Sequence, residues 1–208
     1  MPGIKIKICG LRRMQDIEYA NMLMPDYTGF ILAEGYRRSI TMEDARKFAE
    51  MLDKGIIRTG VFLNQPEHVV AEYVNSGIIQ CIQLHGDEDN VYIGRLQKHI
   101  GSRCNIIKAV RIRDESDILR ALEYECDYLL LDAGSGVQAG GNGIAFDWKL
   151  VKGINKPFFL AGGISAENAK DAVEITRPYA LDASSSMETD GYKDFNKMKK
   201  FVDTVRSL

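Results

Sequence analysis

The sequence predicts an α/β fold, a single-domain (β/α)8 TIM barrel, from three observations. Segments typical of strands and of helices alternate eight times along the chain. The 208 residues therefore provide about 26 residues for each strand–helix unit, near the lower size limit of such a barrel. Segments rich in glycine and serine follow the last three predicted strands, where barrels commonly bind phosphate. The alternative, an open doubly wound sheet, usually carries its nucleotide-binding glycines after the first strand, and no such fingerprint follows it here.

The predicted strands are short runs rich in Ile, Leu, Val and Phe. They span residues 4–9, 27–33, 58–63, 79–84, 105–110, 127–132, 157–161 and 179–183. The first strand alternates between lysine and isoleucine, and a strand has a side-chain period of two. We therefore expect Lys5, Lys7 and Cys9 to point into the barrel and the isoleucines to face the surrounding helices.

The predicted helices follow the strands, and several begin at recognisable signals. They span residues 14–23, 66–75, 88–99, 115–124, 146–152, 165–175 and 193–206, with one more that opens at Thr41. Thr41 is predicted to cap its helix because an acidic residue lies three positions on. Pro66 is expected in the first turn of its helix, and Ser165 is expected as a second cap.

Composition and charge exclude several classes of protein. The chain is 45% hydrophobic and 27% charged, which suits a folded core, and no linker divides residues 1–208 into more than one domain. A net charge of −2 offers no basic surface for nucleic acid. No apolar run is long enough for a membrane span, and the first residues lack the pattern of a signal peptide. We expect a cytoplasmic protein, a monomer or a homodimer.

The four cysteines predict neither a metal site nor a disulfide framework. Cys9, Cys81, Cys104 and Cys126 are dispersed, with no C-x-x-C pair and no histidine at ligand spacing. Cys9 differs from the others because it ends the first strand above lysines, which would lower the pKa of its thiol. It is a candidate general base or nucleophile, and the alternative is a small buried hydrophobic residue.

Other candidates for chemistry end further strands. Asp132 follows an apolar strand, where desolvation would raise its pKa and suit a general acid, although a loop hydrogen bond is the common alternative. Asp182 ends another apolar strand and is a weaker candidate for the same role. His85 is expected to face inward and orient a ligand, or else to be a structural donor. Arg37 or Arg38 would bind a substrate carboxylate, unless they are solvated loop charges.

Three neighbouring loops predict a phosphate site. Glycine lets backbone amides approach an anion, and the start of a following helix adds a favourable dipole. The candidate phosphate-binding residues are Gly141, Asn142, Gly143, Gly162, Gly163, Ser184 and Ser185. A phosphate on these loops and an arginine elsewhere would suit a small-molecule substrate with anionic groups at both ends.

These strings, taken in order, resemble the phosphoribosylanthranilate isomerase family, whose members are (β/α)8 barrels of tryptophan biosynthesis. The resemblance covers nearly the whole chain. The matching segments are Lys7-Ile8-Cys9-Gly10, Gly29-Phe30-Ile31, Gly60-Val61-Phe62-Leu63-Asn64, Gln83-Leu84-His85-Gly86-Asp87-Glu88, Leu130-Leu131-Asp132, Gly140-Gly141-Asn142-Gly143, Phe146-Asp147-Trp148, Ala161-Gly162-Gly163 and Asp182-Ala183-Ser184-Ser185. Ser186 and Ile144 depart from the family, which usually has glycine and often lysine there, and the loop at residues 33–36 lacks its usual proline and serine.

The resemblance implies an Amadori rearrangement without a metal or organic cofactor. It implies that Asp132 protonates the ribose ring oxygen and that Cys9 then removes the proton from C2. It assigns the anthranilate carboxylate to Arg38, the phosphate to the three loops and a supporting role to Asp182.

Two other interpretations remain open from the sequence. One is a neighbouring type of barrel enzyme, such as indole-glycerol-phosphate synthase, which would use a lysine such as Lys108 at a strand end. The other is a barrel that binds a phosphorylated ligand without converting it, since the fold alone does not define a function.

Overall fold

The closed barrel predicted from the sequence is confirmed. The computed structural model describes residues 3–132, 148–151 and 153–208. Eight parallel strands pair in chain order, and the first also pairs with the eighth, so the sheet closes on itself. The strands are Lys5–Cys9 (β1), Tyr27–Ile31 (β2), Ile57–Phe62 (β3), Cys81–Leu84 (β4), Asn105–Arg111 (β5), Tyr128–Asp132 (β6), Phe158–Ala161 (β7) and Ala180–Ala183 (β8).

Helices surround the barrel. Within the described ranges the α-helices are Met14–Leu23 (α1), Met42–Met51 (α2), Glu67–Asn75 (α3), Asn90–Ile100 (α4), Glu115–Leu122 (α5), Ala169–Thr176 (α6) and Phe195–Arg206 (α7). A 3-10 helix, Trp148–Val151, lies in the span predicted as 146–152, whose residues 146, 147 and 152 are outside the described residues. None of these helices combines the length and apolar character that crossing a membrane requires.

Side-chain caps mark the start of several helices. The Thr41 hydroxyl accepts a hydrogen bond from the third backbone N–H of its helix, which confirms it as the cap of α2. Asp89 caps α4, so this helix begins two residues later than the predicted start at Glu88. The prediction that Ser165 caps α6 is wrong. Its backbone N–H donates to the Asn168 side chain at 2.9 Å, which holds these residues in a turn before the helix.

Strand alternation separates two layers inside the molecule. Ile6 and Ile8 are buried between the barrel and the helices, whereas Lys7 and Cys9 point into the barrel, as predicted. Lys5 lies at the N-terminal rim, where its ammonium pairs with Asp26 at 2.7 Å. The alternation along β1 therefore places polar groups inside the barrel.

Aromatic rings fill the N-terminal half of the barrel interior. Tyr27, Tyr128, Phe159 and Tyr179 contact one another, with ring centroids 4.8 to 6.4 Å apart. The hydroxyl groups of Tyr27 and Tyr179 are 2.9 Å apart and share a hydrogen bond. The aromatic rings occupy the N-terminal end of the interior. The polar side chains of the interior lie toward the C-terminal end.

A small antiparallel hairpin follows β8 and is absent from the sequence prediction. It consists of Glu188–Thr189 (β9) and Tyr192–Lys193 (β10), and we call it the β9–β10 hairpin. The sequence predicts a helix from residue 193, but α7 starts at residue 195 after the Asp194 cap. Arg12 and Arg37, from the loops after β1 and β2, both donate to the carbonyl of Gly191, at 3.0 and 2.9 Å. These contacts fasten the hairpin beside the mouth of the barrel.

Candidate active site

Cys9 lies at the C-terminal end of β1, at the mouth of the barrel. It is buried, and its strand partner on β2 is Gly29. A Cβ atom at Gly29 would lie only 2.5 Å from the Cys9 sulfur. The glycine therefore leaves the space that the thiol occupies.

Lys7 and Asp182 form a buried ion pair inside the barrel, and Lys7 lies two residues before Cys9 on β1. The Lys7 Nζ lies 2.7 Å from the Asp182 Oδ2, and the two side chains are 0% and 7% exposed. Burial by itself would lower the pKa of Lys7, but Asp182 and Cys9 raise it above its ordinary value. The lysine thus remains an ammonium group, and Asp182 neutralises it.

The expectation that the pKa of Cys9 is lowered is wrong for this structure, although the neighbouring lysines do act in that direction. Burial raises the pKa of the Cys9 thiol, and the opposing charges of Lys7 and Lys193 do not outweigh it. Asp182 contributes to the rise because its negative charge lies close to the thiol. The thiol is consequently protonated at neutral pH.

Asp132 ends β6, which lies three strands around the closed barrel from β1, the strand of Cys9. Its side chain is 27% exposed, so the desolvation expected from the apolar strand is only partial. The Nε2 of His85 lies 3.8 Å from its Oδ2, which is close enough for an electrostatic interaction but too long for a hydrogen bond. The two residues thus lie side by side at the mouth.

His85 is held as a neutral ring. The amide nitrogen of Gln83 lies 2.8 Å from its Nδ1, and because an amide nitrogen only donates, Nδ1 is the acceptor. The ring hydrogen is then on Nε2, directed toward Asp132. Burial lowers the pKa of His85, although Asp132 opposes this. His85 is therefore placed as a neutral donor, in line with its predicted inward orientation.

The Arg38 guanidinium is engaged by Glu188, a residue that the sequence analysis missed. Its Nε and Nη2 donate to the two carboxylate oxygens at 2.6 and 3.0 Å. Glu188 also accepts from Arg37 at 2.8 Å and pairs with Lys193 at 3.2 Å. Burial favours a higher pKa, but the hydrogen bonds from Arg38 and Arg37 lower the pKa of Glu188 to about 2. No local pattern marks Glu188, because Arg38 is 150 positions away.

The loops after β7 and β8 are joined. Gly162 and Gly163 have φ angles of 85° and 75°, which side-chain-bearing residues rarely adopt. The Ser186 hydroxyl donates to the carbonyl of Ile164, which ties one loop to the other. Ser186 has no positive φ, so the glycine that the resembled family has there is not needed for this backbone.

The remaining predicted phosphate residues divide into two groups. Ser184 donates its hydroxyl to the carbonyl at the end of β1, at 3.0 Å, and Ser185 begins a 3-10 helix over Ser185–Met187. Both lie beside the loop after β7. Gly141, Asn142 and Gly143 lie outside the described residues.

The titratable groups at the mouth act on one another. The pKa of Asp182 is raised by burial and by Asp132, and it is lowered by Lys7 and His85. The structure thus brings side chains from the ends of β1, β4, β6 and β8 close enough to interact electrostatically.

A cavity of about 840 Å³ opens at this mouth on the side of β3 to β6. Asp132 and His85 line it, together with arginines that the sequence analysis did not single out: Arg111, Arg113 and Arg120. Within the described ranges, no group of three or more His, Cys, Asp and Glu side chains is arranged to bind a metal ion.

Lys108 is not available as a strand-end acid or base. Its side chain is 1% exposed, and its ammonium lies 3.0 Å from Glu88 and donates to the Gly86 carbonyl at 2.5 Å. The lysine-centred alternative therefore loses its candidate residue.

The closed barrel and the titratable side chains at its C-terminal mouth place this protein among (β/α)8-barrel enzymes, whose active sites form at that end. Residues 6–204 match the family model of N-(5'phosphoribosyl)anthranilate (PRA) isomerase. The chain belongs to this family.

Relatives and solved structures agree over nearly the whole length. The chain is 42% identical to N-(5'-phosphoribosyl)anthranilate isomerase of Caldanaerobacter subterraneus subsp. tengcongensis, with 99% of each chain covered. It superposes on the crystal structure of phosphoribosyl anthranilate isomerase from Thermotoga maritima with a TM-score of 0.86 and 30% identity. The superposition covers 99% of this chain and 100% of the Thermotoga chain. A second crystal structure, of the isomerase in complex with reduced 1-(o-carboxyphenylamino)-1-deoxyribulose 5-phosphate, has a TM-score of 0.84, 29% identity and the same coverage.

Proposed function

We propose that this chain converts N-(5'-phosphoribosyl)anthranilate to 1-(2-carboxyphenylamino)-1-deoxyribulose 5-phosphate. One observation carries the proposal: in a member of this family, Cys9 and Asp132 end two strands, β1 and β6, at the same mouth of one closed barrel. The test is an assay of the purified protein that follows the loss of substrate fluorescence. Absence of turnover contradicts the proposal, and tight binding of the product without turnover would indicate a binding module instead.

Asp132 is proposed as the general acid of the first step. It donates a proton to the ribose ring oxygen as the bond from C1 to that oxygen breaks. The nitrogen lone pair then forms a double bond to C1, which gives an open-chain Schiff base with a positive charge. The partial exposure of Asp132 to the cavity gives it access to a ligand, and His85 lies 3.8 Å from its carboxyl group.

Cys9 is proposed as the general base of the second step. Its thiolate removes the proton from C2, and the electrons of that C–H bond form a C1–C2 double bond while the C1–N double bond returns its electrons to nitrogen, which gives an enolamine. The enolamine then gains a proton at C1 and loses the proton of its C2 hydroxyl, which gives the ketone. Burial disfavours the thiolate that this step requires. The positive charge of the Schiff base counters that effect, because an opposite charge nearby favours the ionised thiol. Once the first step has occurred, the thiol releases its proton to solvent and the thiolate forms.

Different residues are proposed to bind the two ends of the substrate, its phosphate and its carboxylate. Gly162, Gly163, Ser184 and Ser185, with Gly141, Asn142 and Gly143, would bind the phosphate through backbone amides. The joined loops after β7 and β8 support this assignment. Asp182 would have a supporting role near the substrate, since it pairs with the Lys7 ammonium below Cys9. Arg38 would bind the carboxylate.

Replacing Arg38 by alanine is expected to raise KM about 10- to 100-fold with a small change in kcat, because a charge-assisted hydrogen-bond pair to the carboxylate is lost. Steady-state kinetics measures both constants. Arg95→Ala is the control, because Arg95 on α4 pairs with Glu67 on α3, outside the strand barrel, at a distance of 2.5 Å. An unchanged KM for Arg38→Ala would move the carboxylate contact to another residue.

Replacing Gly29 by alanine is expected to lower kcat about a hundredfold without unfolding the barrel. The new Cβ would lie 2.5 Å from the Cys9 sulfur and displace it, and a small misplacement of a reacting group costs about this much. Gly94→Ala is the matched control, because a Cβ at Gly94 in α4 meets no atom within 4 Å. Kinetics and thermal unfolding of both variants decide the point, and a wild-type kcat in Gly29→Ala would contradict it.

We also infer one domain over residues 1–208, a cytoplasmic location, no cofactor and no nucleic-acid partner. The barrel runs from β1 to α7 near the chain end, and the four free cysteines suit a reducing compartment. Gel filtration distinguishes a monomer from a homodimer.

A further inference from the structure

Glu188 holds Arg38 from the side. A guanidinium can pair with one carboxylate through Nε and Nη2 and with a second through its end, Nη1 and Nη2. Glu188 uses the first pair, at 2.6 and 3.0 Å. The Nη1 group makes no hydrogen bond with any residue that the structure describes. The end of the guanidinium is therefore available to a second carboxylate.

The Arg38 side chain is also fixed along its stem. A Cβ at Gly10, the residue after Cys9, would lie 2.7 Å from the Arg38 Cδ and 3.4 Å from the Ser184 hydroxyl. Arg38 thus passes over the end of β1, next to the candidate base and to the loop after β8.

Lys193 connects Glu188 to that same loop. Its side chain is 1% exposed, and its ammonium lies 3.2 Å from Glu188 and donates to the Ser184 carbonyl at 2.9 Å. The carboxylate of Glu188 therefore links the loop after β2, which carries Arg38, to a loop proposed to bind phosphate. The two ends of the site are joined through one side chain.

The charges around Glu188 favour an additional anion. Arg37, Arg38 and Lys193 all lie within 3.2 Å of its carboxylate, so three cations face one anion and two positive charges remain uncompensated. A second carboxylate at Arg38 therefore meets a net positive environment despite the presence of Glu188.

We propose that Glu188 is a positioning residue for the substrate carboxylate: it holds Arg38 side-on so that the free end of the guanidinium binds that carboxylate. This inference rests on the proposed function, because it takes the substrate from it. The benefit is preorganisation. Arginine has several rotatable bonds, and fixing them before the ligand arrives removes that entropy cost from binding.

The experiment compares two ligands that differ only in the carboxylate. Calorimetry measures Kd for 1-(2-carboxyphenylamino)-1-deoxyribulose 5-phosphate and for 1-anilino-1-deoxyribulose 5-phosphate, which lacks the carboxyl group. We expect the wild-type protein to prefer the first, and Glu188→Gln to reduce that preference about tenfold. In the assay of turnover, KM should rise about tenfold while kcat changes less than about threefold.

Two further variants complete the test. Glu67→Gln is the matched control, because it removes the charge from a carboxylate that pairs with Arg95 outside the site. It should leave the preference and KM unchanged. Glu188→Asp keeps a charge beside Lys193 if Glu188→Gln does not fold. Its side chain is one methylene shorter and does not reach both guanidinium nitrogens from the same backbone position, so its preference should also fall.

The outcomes separate this inference from the proposed function. An undiminished preference in the folded Glu188 variants overturns the inference, and so does a wild-type protein that binds both ligands equally. A wild-type protein that binds the first ligand more tightly but does not convert substrate contradicts the proposed function alone.

Discussion

We expect Cys9→Ser to lower kcat by about 10²- to 10⁴-fold, the range that general acid–base catalysis contributes. A hydroxyl is a much weaker acid than a thiol, so almost no alkoxide forms at neutral pH even beside the charge of a Schiff base. The substitution is small, and Gly29 leaves room for it. Binding of the product should therefore persist while turnover is lost.

The fluorescence assay measures kcat, and calorimetry with the product measures binding. Cys126→Ser is the control for replacing a thiol by a hydroxyl. Its sulfur contacts the carbonyl of Tyr128, at the other end of the barrel from the mouth, so its kcat should equal that of the wild type. If Cys9→Ser retains kcat within about tenfold, Cys9 is not the general base.

Asp132→Asn is expected to have an effect of the same size, about 10²- to 10⁴-fold on kcat. An amide has nearly the shape of the carboxyl group but cannot transfer a proton to the ring oxygen. Because the ring would no longer open readily, the substrate should bind and remain cyclic. Single-turnover measurements then show a slow first step, in contrast to the slow second step expected for Cys9→Ser.

A carboxylate in the same cavity serves as the control. Asp87 lines the cavity with Asp132, and its side chain lies 3.4 Å from the Asn64 amide. Asp87→Asn should leave kcat close to the wild-type value. Equal losses in the two variants would indicate that the charge of the cavity, and not a proton from Asp132, determines the rate.

The parts of the fold that follow from local patterns were predictable. The alternation of Lys and Ile along β1 correctly assigned Lys7 and Cys9 to the barrel interior. The Thr41 cap was also correct, because a cap depends on residues within one turn. Ser165 shows the limit of this reasoning, since the Asn168 side chain bonds to its backbone and delays the helix.

The β9–β10 hairpin was not predictable in this way. Its strands have two residues each, too few to show an alternating pattern. Arginines from the loops after β1 and β2 hold it in place, and these lie more than 150 positions earlier in the chain. Glu188, which engages Arg38, belongs to this hairpin and was not predictable from the sequence either.

Residue order alone was sufficient to choose the barrel, the inward face of β1 and the strand ends where the polar groups lie, because periodicity is a property of neighbouring residues. Folding was needed to decide the ionisation of Cys9 and the orientation of Arg38. The pKa of Cys9 depends on burial and on Asp182, which neutralises Lys7 from 175 positions away. Desolvation and ion pairing depend on distances in space, and only the folded chain brings these groups together.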